Sequence, residues 1–155
     1  MRYKIRLSYD GSAFCGWQVQ NNAISIQQTV QDAAEKVFGV RPNVTGCSRT
    51  DSGVHAREYV CVISDVAEIS ETGLPLALNS ILPSDISALK AKAVSEDFHP
   101  RYSCIEKEYE YIFNDLSNFP ISFSYGDKTF NGFPSSQFSV VSTDTKTERN
   151  GVLNT

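Results

Sequence analysis

The order of strand-like and helix-like patterns along residues 3–113 limits the possible folds more than any other feature of this chain. Residues 3–9 alternate strictly between apolar and polar side chains, which is typical of a half-buried strand. Apolar residues recur at helical spacing over residues 26–37, after a Ser25 that can cap the helix and before a Gly39 that can end it. Further patterns predict strands at residues 43–47, 58–64, 86–94 and 107–113, and a short helix at residues 74–82.

The predicted elements follow the order strand, helix, strand, strand, helix, strand, strand. The first six have the order of a ferredoxin-like, split βαβ domain, which is also the RRM-like arrangement. We therefore predict an α+β fold with a mostly antiparallel sheet and helices on one of its faces. In the first strand, Arg2, Lys4 and Arg6 should share the face opposite the apolar residues. In the strand at residues 86–94, strict alternation would place Ile86, Ala88, Lys90 and Lys92 on one face, and Leu89, Ala91 and Ala93 on the other.

Composition argues against several classes of protein. The chain has 155 residues, of which 41% are hydrophobic and 21% charged, as expected for one globular domain. No apolar run approaches the roughly 20 residues of a membrane span, and the N-terminal residues alternate instead of forming the apolar core of a secretory signal. We therefore expect a cytoplasmic protein with no membrane partner. The four cysteines are scattered, with no Cys-x-x-Cys pair, so we expect reduced thiols and no metal site.

The formal net charge of −4 argues against RNA binding by the molecule as a whole, since phosphate-binding proteins are usually basic. Local basic patches can still bind nucleic acid. The candidates, each of which could equally be a solvated surface residue, are Arg2, Lys4, Arg6, Arg49, Arg57, Lys90, Lys92 and Arg101.

The last forty or so residues differ in composition from the rest of the chain. Ser, Thr, Asn, Gly and Asp dominate residues 116–155, with neither a helical period nor a convincing set of strands. We predict three segments: an N-terminal α/β domain at residues 1–104 that contains a polar loop at residues 46–56, a strand at residues 105–115, and a poorly ordered tail at residues 116–155.

The polar loop at residues 46–56 lies between two predicted strands and carries the candidate chemistry. Rigid sheets commonly present such loops for binding and catalysis. Arg49 and Asp51 are close enough to interact, and a neighbouring guanidinium would keep the carboxylate ionised, as a nucleophile requires. Gly53 can adopt backbone conformations closed to other residues. Judged from the residues alone, an Arg-x-Asp pair in a loop is more often a structural salt bridge.

Residues 49–56, with the sequence Arg-Thr-Asp-Ser-Gly-Val-His-Ala, resemble the signature of the TruA-type tRNA pseudouridine synthases. The resemblance runs from Tyr3 to Phe113. It includes Tyr-Asp-Gly-Ser at residues 9–12, Gly-Trp-Gln at 16–18, Leu-Pro-Ser-Asp-Ile at 82–86, Asp-Phe-His-Pro-Arg-Tyr-Ser at 97–103 and Lys-Glu-Tyr-Glu-Tyr at 107–111. After Phe113 the resemblance fades. No counterpart is apparent of the family's second α/β domain, which completes the cleft and contributes to a homodimer.

The resemblance implies isomerisation of uridine to pseudouridine in the tRNA anticodon stem-loop, with no cofactor and no metal. Asp51 would be the nucleophile that starts breakage of the C1′–N1 bond. Arg49 would pair with it and support a flipped-out base. Tyr109 would stack on that base, and it is a candidate for assisting removal of the C5 proton. The alternation around Tyr109, by itself, predicts a core aromatic residue.

Three further residues are candidates for substrate contacts. His55 either touches a phosphate or orients the loop through a structural hydrogen bond. Trp17 and Gln18 are candidates for lining the RNA cleft. For Trp17 the alternative is that its indole is a buried structural anchor. Since the second domain is not apparent, three functions stay open: an active synthase, an inactive half-synthase that binds RNA, and a fragment without function.

Overall fold

A computed structural model of the chain describes residues 1–114, 121–125 and 128–143. Its helices and strands, in chain order, are β1 (Arg2–Tyr9), α1 (Ile26–Phe38), β2 (Asn43–Gly46), β3 (His55–Ser64), α2 (Gly73–Asn79), β4 (Ile86–Ala93), β5 (Glu106–Asn114), β6 (Ile121–Tyr125) and β7 (Lys128–Thr143). The predicted α+β class is confirmed within these residues.

The first strand of the chain, β1, lies between β4 and β3 in the sheet. The strands of the sheet have the order β4-β1-β3-β7-β5, while β2 pairs with β3 and β6 pairs with β7. Neighbouring strands are antiparallel except for the parallel pair of β3 and β7. The prediction of a mostly antiparallel sheet is therefore confirmed.

Helix α1 begins and ends where its sequence predicts. The Ser25 hydroxyl oxygen accepts a hydrogen bond from the Gln28 N–H at 3.2 Å, which satisfies one of the free donors at the start of the helix. At the other end Gly39 has a φ of 72°, and its N–H donates to the Glu35 carbonyl at 2.8 Å. One face of α1 packs into the core through Ile26 and Val30, with Ala33 and Ala34 one turn further along.

The core lies against one face of the sheet. In β1 every second residue is buried, which places Tyr3, Ile5, Leu7 and Tyr9 in a cluster with apolar residues of both helices. On the other face of β1, Arg2 donates to the Phe98 carbonyl and Arg6 forms an ion pair with Glu58. The predicted separation of basic and apolar side chains along β1 is thus confirmed.

Strand β4 differs from the strict alternation that its sequence suggests. Arg6 lies opposite Lys90 while Leu7 lies opposite Ala88, so Leu89 is an extra residue at a β-bulge. A bulge exchanges the two faces beyond it, and Ala91 is consequently buried with Ala88. The prediction that Ala88 and Lys90 share a face was wrong for this reason.

The sequence predicted no strands within residues 116–155. This prediction was wrong for the residues in this range that the structure describes. Strands β6 and β7 form an antiparallel pair with Tyr125 opposite Lys128. The sequence does carry a hairpin signal, since an alternating Ile-Ser-Phe-Ser-Tyr segment is followed by the dipeptide Gly-Asp. The predicted poor order of residues 116–120, 126–127 and 144–155 lies outside the described residues. Among the described helices, none is long and apolar enough to cross a membrane.

Candidate active site

Residues 48–51, in the loop between β2 and β3, are alternately buried and exposed. Ser48 and Thr50 are 7% and 8% exposed, whereas Arg49 and Asp51 are exposed to solvent. Within these four residues, successive side chains therefore point to opposite sides of the chain. As a result, both charged side chains predicted for the site project from the protein, and the residue between them is held inside.

Arg49 and Asp51 line an open cleft of about 520 Å³. Thr50 and Ser52 complete this wall, and the facing wall comes from the loop after β1, with the residues Cys15, Gln18, Val19 and Gln20. The structure therefore brings Gln18, a predicted substrate contact, to the same cleft as Asp51. Sequence reasoning missed Cys15, Val19 and Gln20, although their position beside Gln18 was the available signal.

Backbone contacts join the two walls of this cleft. The Trp17 N–H donates to the Thr50 carbonyl at 3.0 Å. Gly16 has a φ of 81° and lies so close to Thr50 that a side chain at this position would overlap its carbonyl oxygen. Further along, the Gly53 N–H and the Ser52 hydroxyl both lie 3.3 Å from the Phe14 carbonyl oxygen. The position of the two walls is therefore fixed by backbone contacts between the two loops.

Trp17 is a buried anchor beneath the loop and does not line the cleft. Trp17 is 3% exposed, and its ring packs against that of Tyr59 with 4.3 Å between centroids and an interplanar angle of 32°. Of the two alternatives for Trp17, the structure shows the buried anchor. The backbone N–H of Trp17 donates to the Thr50 carbonyl, so Trp17 contributes to the site through its backbone.

No ion pair joins Arg49 to Asp51 or to any other carboxylate in the part of the chain that the structure describes. The two side chains, two residues apart in the chain, line the same cleft. The pairing that the family resemblance implies stays a prediction.

His55 is the first residue of β3 and directly follows the loop of Arg49 and Asp51. Its side chain contacts the turn after β1. Its Nδ1 lies 3.0 Å from a carboxylate oxygen of Asp10 and 3.3 Å from the Gly11 nitrogen. When Nδ1 carries a proton it donates to Asp10, and when it does not it accepts from the Gly11 N–H, so the turn is held in either state. Hydrogen bonds from Ser12, and to a lesser degree the neighbouring His55, lower the pKa of Asp10. His55 does not line the cleft, and its phosphate contact stays a prediction.

Tyr109 lies on β5, opposite Val140 of β7, and is not among the residues that line the cleft. Strand β7 separates β5 from β3, and an ion pair of 2.8 Å joins Arg57 of β3 to Glu110 of β5. The stacking role of Tyr109 therefore stays a prediction. Among the described residues, no group of three His, Cys, Asp or Glu side chains has the geometry of a metal site.

Comparison with known proteins identifies relatives of this chain. The sequence pattern of the tRNA pseudouridine synthase family matches residues 6–103. The chain is similar to tRNA pseudouridine synthase A of Clostridium kluyveri, with 45% identity over 108 residues, or 70% of this chain and 44% of that protein. The corresponding protein of Clostridium acetobutylicum is 42% identical over 123 residues, covering 79% and 50%. That of Aquifex aeolicus is 43% identical over 109 residues, covering 70% and 45%.

The chain spans about half the length of the curated relatives it matches. The match includes the second half of β1, and it includes both the loop after β1 and the loop of Arg49 and Asp51, which form the two walls of the cleft. This chain belongs to the tRNA pseudouridine synthase family.

Proposed function

We propose that this chain isomerises uridine to pseudouridine in tRNA, with Asp51 as the nucleophile. The observation that carries the proposal is the exposure of Asp51 beside Arg49 at an open cleft, within the string that resembles the family signature. An exposed carboxylate whose neighbouring backbone is buried and hydrogen-bonded is both accessible and held in place.

The reaction is a rearrangement that conserves every atom of the nucleotide. The C1′–N1 bond breaks with the help of Asp51, the freed uracil turns, and a C1′–C5 bond forms. A proton leaves C5 and a proton is gained at N1, so neither an oxidant nor a reductant is consumed. A carboxylate that is regenerated at the end satisfies this scheme.

The target base must leave its stack to reach Asp51. A cleft of about 520 Å³ has room for a nucleobase and part of its ribose. Arg49 would pair with Asp51 and support the flipped-out nucleotide, and Tyr109 would stack on the base once β5 and the RNA are in place. The anticodon stem-loop is the target that the family resemblance favours.

The architecture supports the finer fold assignment that we propose, a ferredoxin-like split βαβ unit. The strand order β4-β1-β3-β2, with antiparallel neighbours, is the order expected when two βαβ crossovers interleave. We infer that residues beyond this unit, or a second copy of the chain, complete the RNA-binding surface.

A second candidate function is a binding module that holds tRNA without modifying it. The coverage of about half of each relative and the net charge of −4 favour it, because fewer phosphate contacts are then available.

The test is a pseudouridine assay on unmodified tRNA, with mass-labelled uridine as the reporter. Asp51→Asn keeps the size of the side chain and removes its charge, and we expect product formation to fall on the order of a thousandfold or more while tRNA binding persists. Glu68→Gln, which neutralises another exposed carboxylate, should behave like the wild-type chain.

Equal product from the wild-type chain and from Asp51→Asn would exclude Asp51 as the nucleophile. If the wild-type chain gives no product but binds tRNA in a salt-dependent manner, the binding module is the correct function. Absence of both product and binding at low salt would exclude both functions.

A further inference from the structure

We propose that Tyr59 is a positioning residue, whose hydroxyl fixes the backbone of Ser48 so that Arg49 and Asp51 face the cleft. The consequence for catalysis rests on the proposed function of Asp51. The structural part of the proposal, that one buried hydroxyl sets the direction of the loop, stands on the contacts of Tyr59 alone.

The Tyr59 hydroxyl contacts both hydrogen-bonding groups of Ser48. It donates to the Ser48 carbonyl, and it accepts from the Ser48 N–H with 3.4 Å between the heavy atoms. Ser48 directly precedes Arg49, and its peptide orientation decides which side of the chain Arg49 leaves from. Both backbone groups of Ser48 are thereby satisfied inside the protein, where water cannot replace the hydroxyl.

A second tyrosine hydroxyl secures the residue between Arg49 and Asp51. The hydroxyl oxygens of Tyr9 and Thr50 lie 3.2 Å apart in a buried environment. The rings of Tyr9 and Tyr59 are themselves in contact, with 5.6 Å between their centroids. Two adjacent aromatic side chains therefore hold Ser48 and Thr50 inward, which leaves the two charged residues outward.

The residues around Tyr59 leave space for its hydroxyl group. Tyr59 is fully buried, and Gly46 lies where a side chain would overlap the Tyr59 hydroxyl and come within 2.6 Å of the Trp17 ring nitrogen. Burial raises the pKa of Tyr59 well above its ordinary value, so the hydroxyl keeps its proton at neutral pH and remains a donor to Ser48. A phenylalanine would fill the same space without a hydroxyl to satisfy, so packing alone does not account for the tyrosine.

The chain contains a matched control. Tyr3 is also buried, and its hydroxyl donates to the Ile69 carbonyl and accepts from the Ile69 N–H, both at 2.9 Å. Tyr3→Phe therefore removes the same kind of hydrogen-bond pair as Tyr59→Phe, but from Ile69, which lies outside the cleft loop. Each variant should raise the unfolding equilibrium constant on the order of tenfold, because a buried backbone pair loses its partner.

The loop is monitored with a trifluoromethyl tag on Cys15. This thiol is exposed and lines the cleft facing Asp51, whereas Cys47 and Cys61 are buried and Cys104 is half-buried. In fluorine NMR of the full chain, we expect one narrow line for the wild type and for Tyr3→Phe. Tyr59→Phe should shift that line or split it, since the facing wall is no longer held in one position.

Kinetics of the untagged chains separate positioning from binding. In an active wild-type chain, Tyr59→Phe should lower kcat about tenfold or more with KM nearly unchanged, and Tyr3→Phe should change neither. An unchanged fluorine spectrum in Tyr59→Phe, the same change in Tyr3→Phe, or an unchanged kcat would overturn the proposal. If the wild-type chain forms no pseudouridine, the proposed function fails and the fluorine spectra alone decide whether Tyr59 positions the loop.

Discussion

Replacement of Gly16 by alanine tests whether the two walls of the cleft depend on direct backbone packing. Gly16 has a φ of 81°, a conformation that costs a residue with a side chain about 1–2 kcal/mol. The added methyl group would also overlap the Thr50 carbonyl oxygen and lie 3.2 Å from the Asp51 carbonyl carbon. Overpacking of this kind typically costs about 1–3 kcal/mol more. We therefore expect Gly16→Ala to lower the free energy of unfolding by about 2–5 kcal/mol in total.

Gly39 provides the matched control for backbone strain. Its φ is 72°, close to that of Gly16, but nothing lies within 4 Å of the position where its side chain would begin. Gly39→Ala should therefore cost only the conformational part, about 1–2 kcal/mol. The difference between the two variants measures the contact of Gly16 with the loop that carries Asp51.

Urea denaturation followed by tryptophan fluorescence measures both free energies of unfolding. Trp17 lies next to Gly16 and is the one tryptophan of the chain, so its emission reports on the same region. Equal losses in Gly16→Ala and Gly39→Ala would refute the reasoning, because strain would then explain both. A larger loss in Gly16→Ala, together with faster alkylation of the neighbouring Cys15 thiol, would support packed walls.

Two further predictions concern the ends of the site's supporting elements. Ser25→Ala removes the hydroxyl that accepts from the Gln28 N–H, and it should lower the free energy of unfolding by about 1 kcal/mol in thermal or urea melts; no measurable loss would contradict the cap. Ser12→Ala should raise the pKa of Asp10, measured by carboxyl-carbon NMR, because the hydrogen bond from the Ser12 side chain is the largest cause of its lowering, while the bond from the Ser12 N–H remains. Since the folded pKa of Asp10 is depressed, its contribution to stability is present above the unfolded-state pKa and is lost as the pH falls through the folded one. Ser12→Ala should make that loss smaller, and an unchanged pKa would contradict the assignment.

Local signals in the sequence predicted those elements whose ends are set locally. Helix α1 was expected at residues 26–37 and lies at Ile26–Phe38, because Ser25 and Gly39 act on backbone groups of the helix itself. The faces of β1 followed in the same way from two-residue alternation. The bulge at Leu89 could not be predicted, since it depends on how β4 aligns with β1, and the alternation around it fits two registers.

The candidate site shows the same division between local and distant contacts. The exposure of Arg49 and Asp51 could be predicted, because a polar loop between strands presents its charged residues to water. The role of Tyr59 could not, because its hydroxyl reaches a residue that lies 11 positions earlier in the chain. Trp17 left two alternatives open for a similar reason, since a tryptophan in a loop gives no sign of which distant ring it will pack against.

The contacts that hold the Asp51 loop determine which part of the chain its geometry requires. Among the described residues, the hydrogen bonds to residues 48–54 come from the loop itself and from residues between Tyr9 and Tyr59. Strands β5, β6 and β7 lie outside this range, and so does everything that the longer relatives have beyond it. A low activity of this chain on tRNA would therefore point to missing contacts with the RNA, because the orientation of Asp51 is set within the part that the family shares.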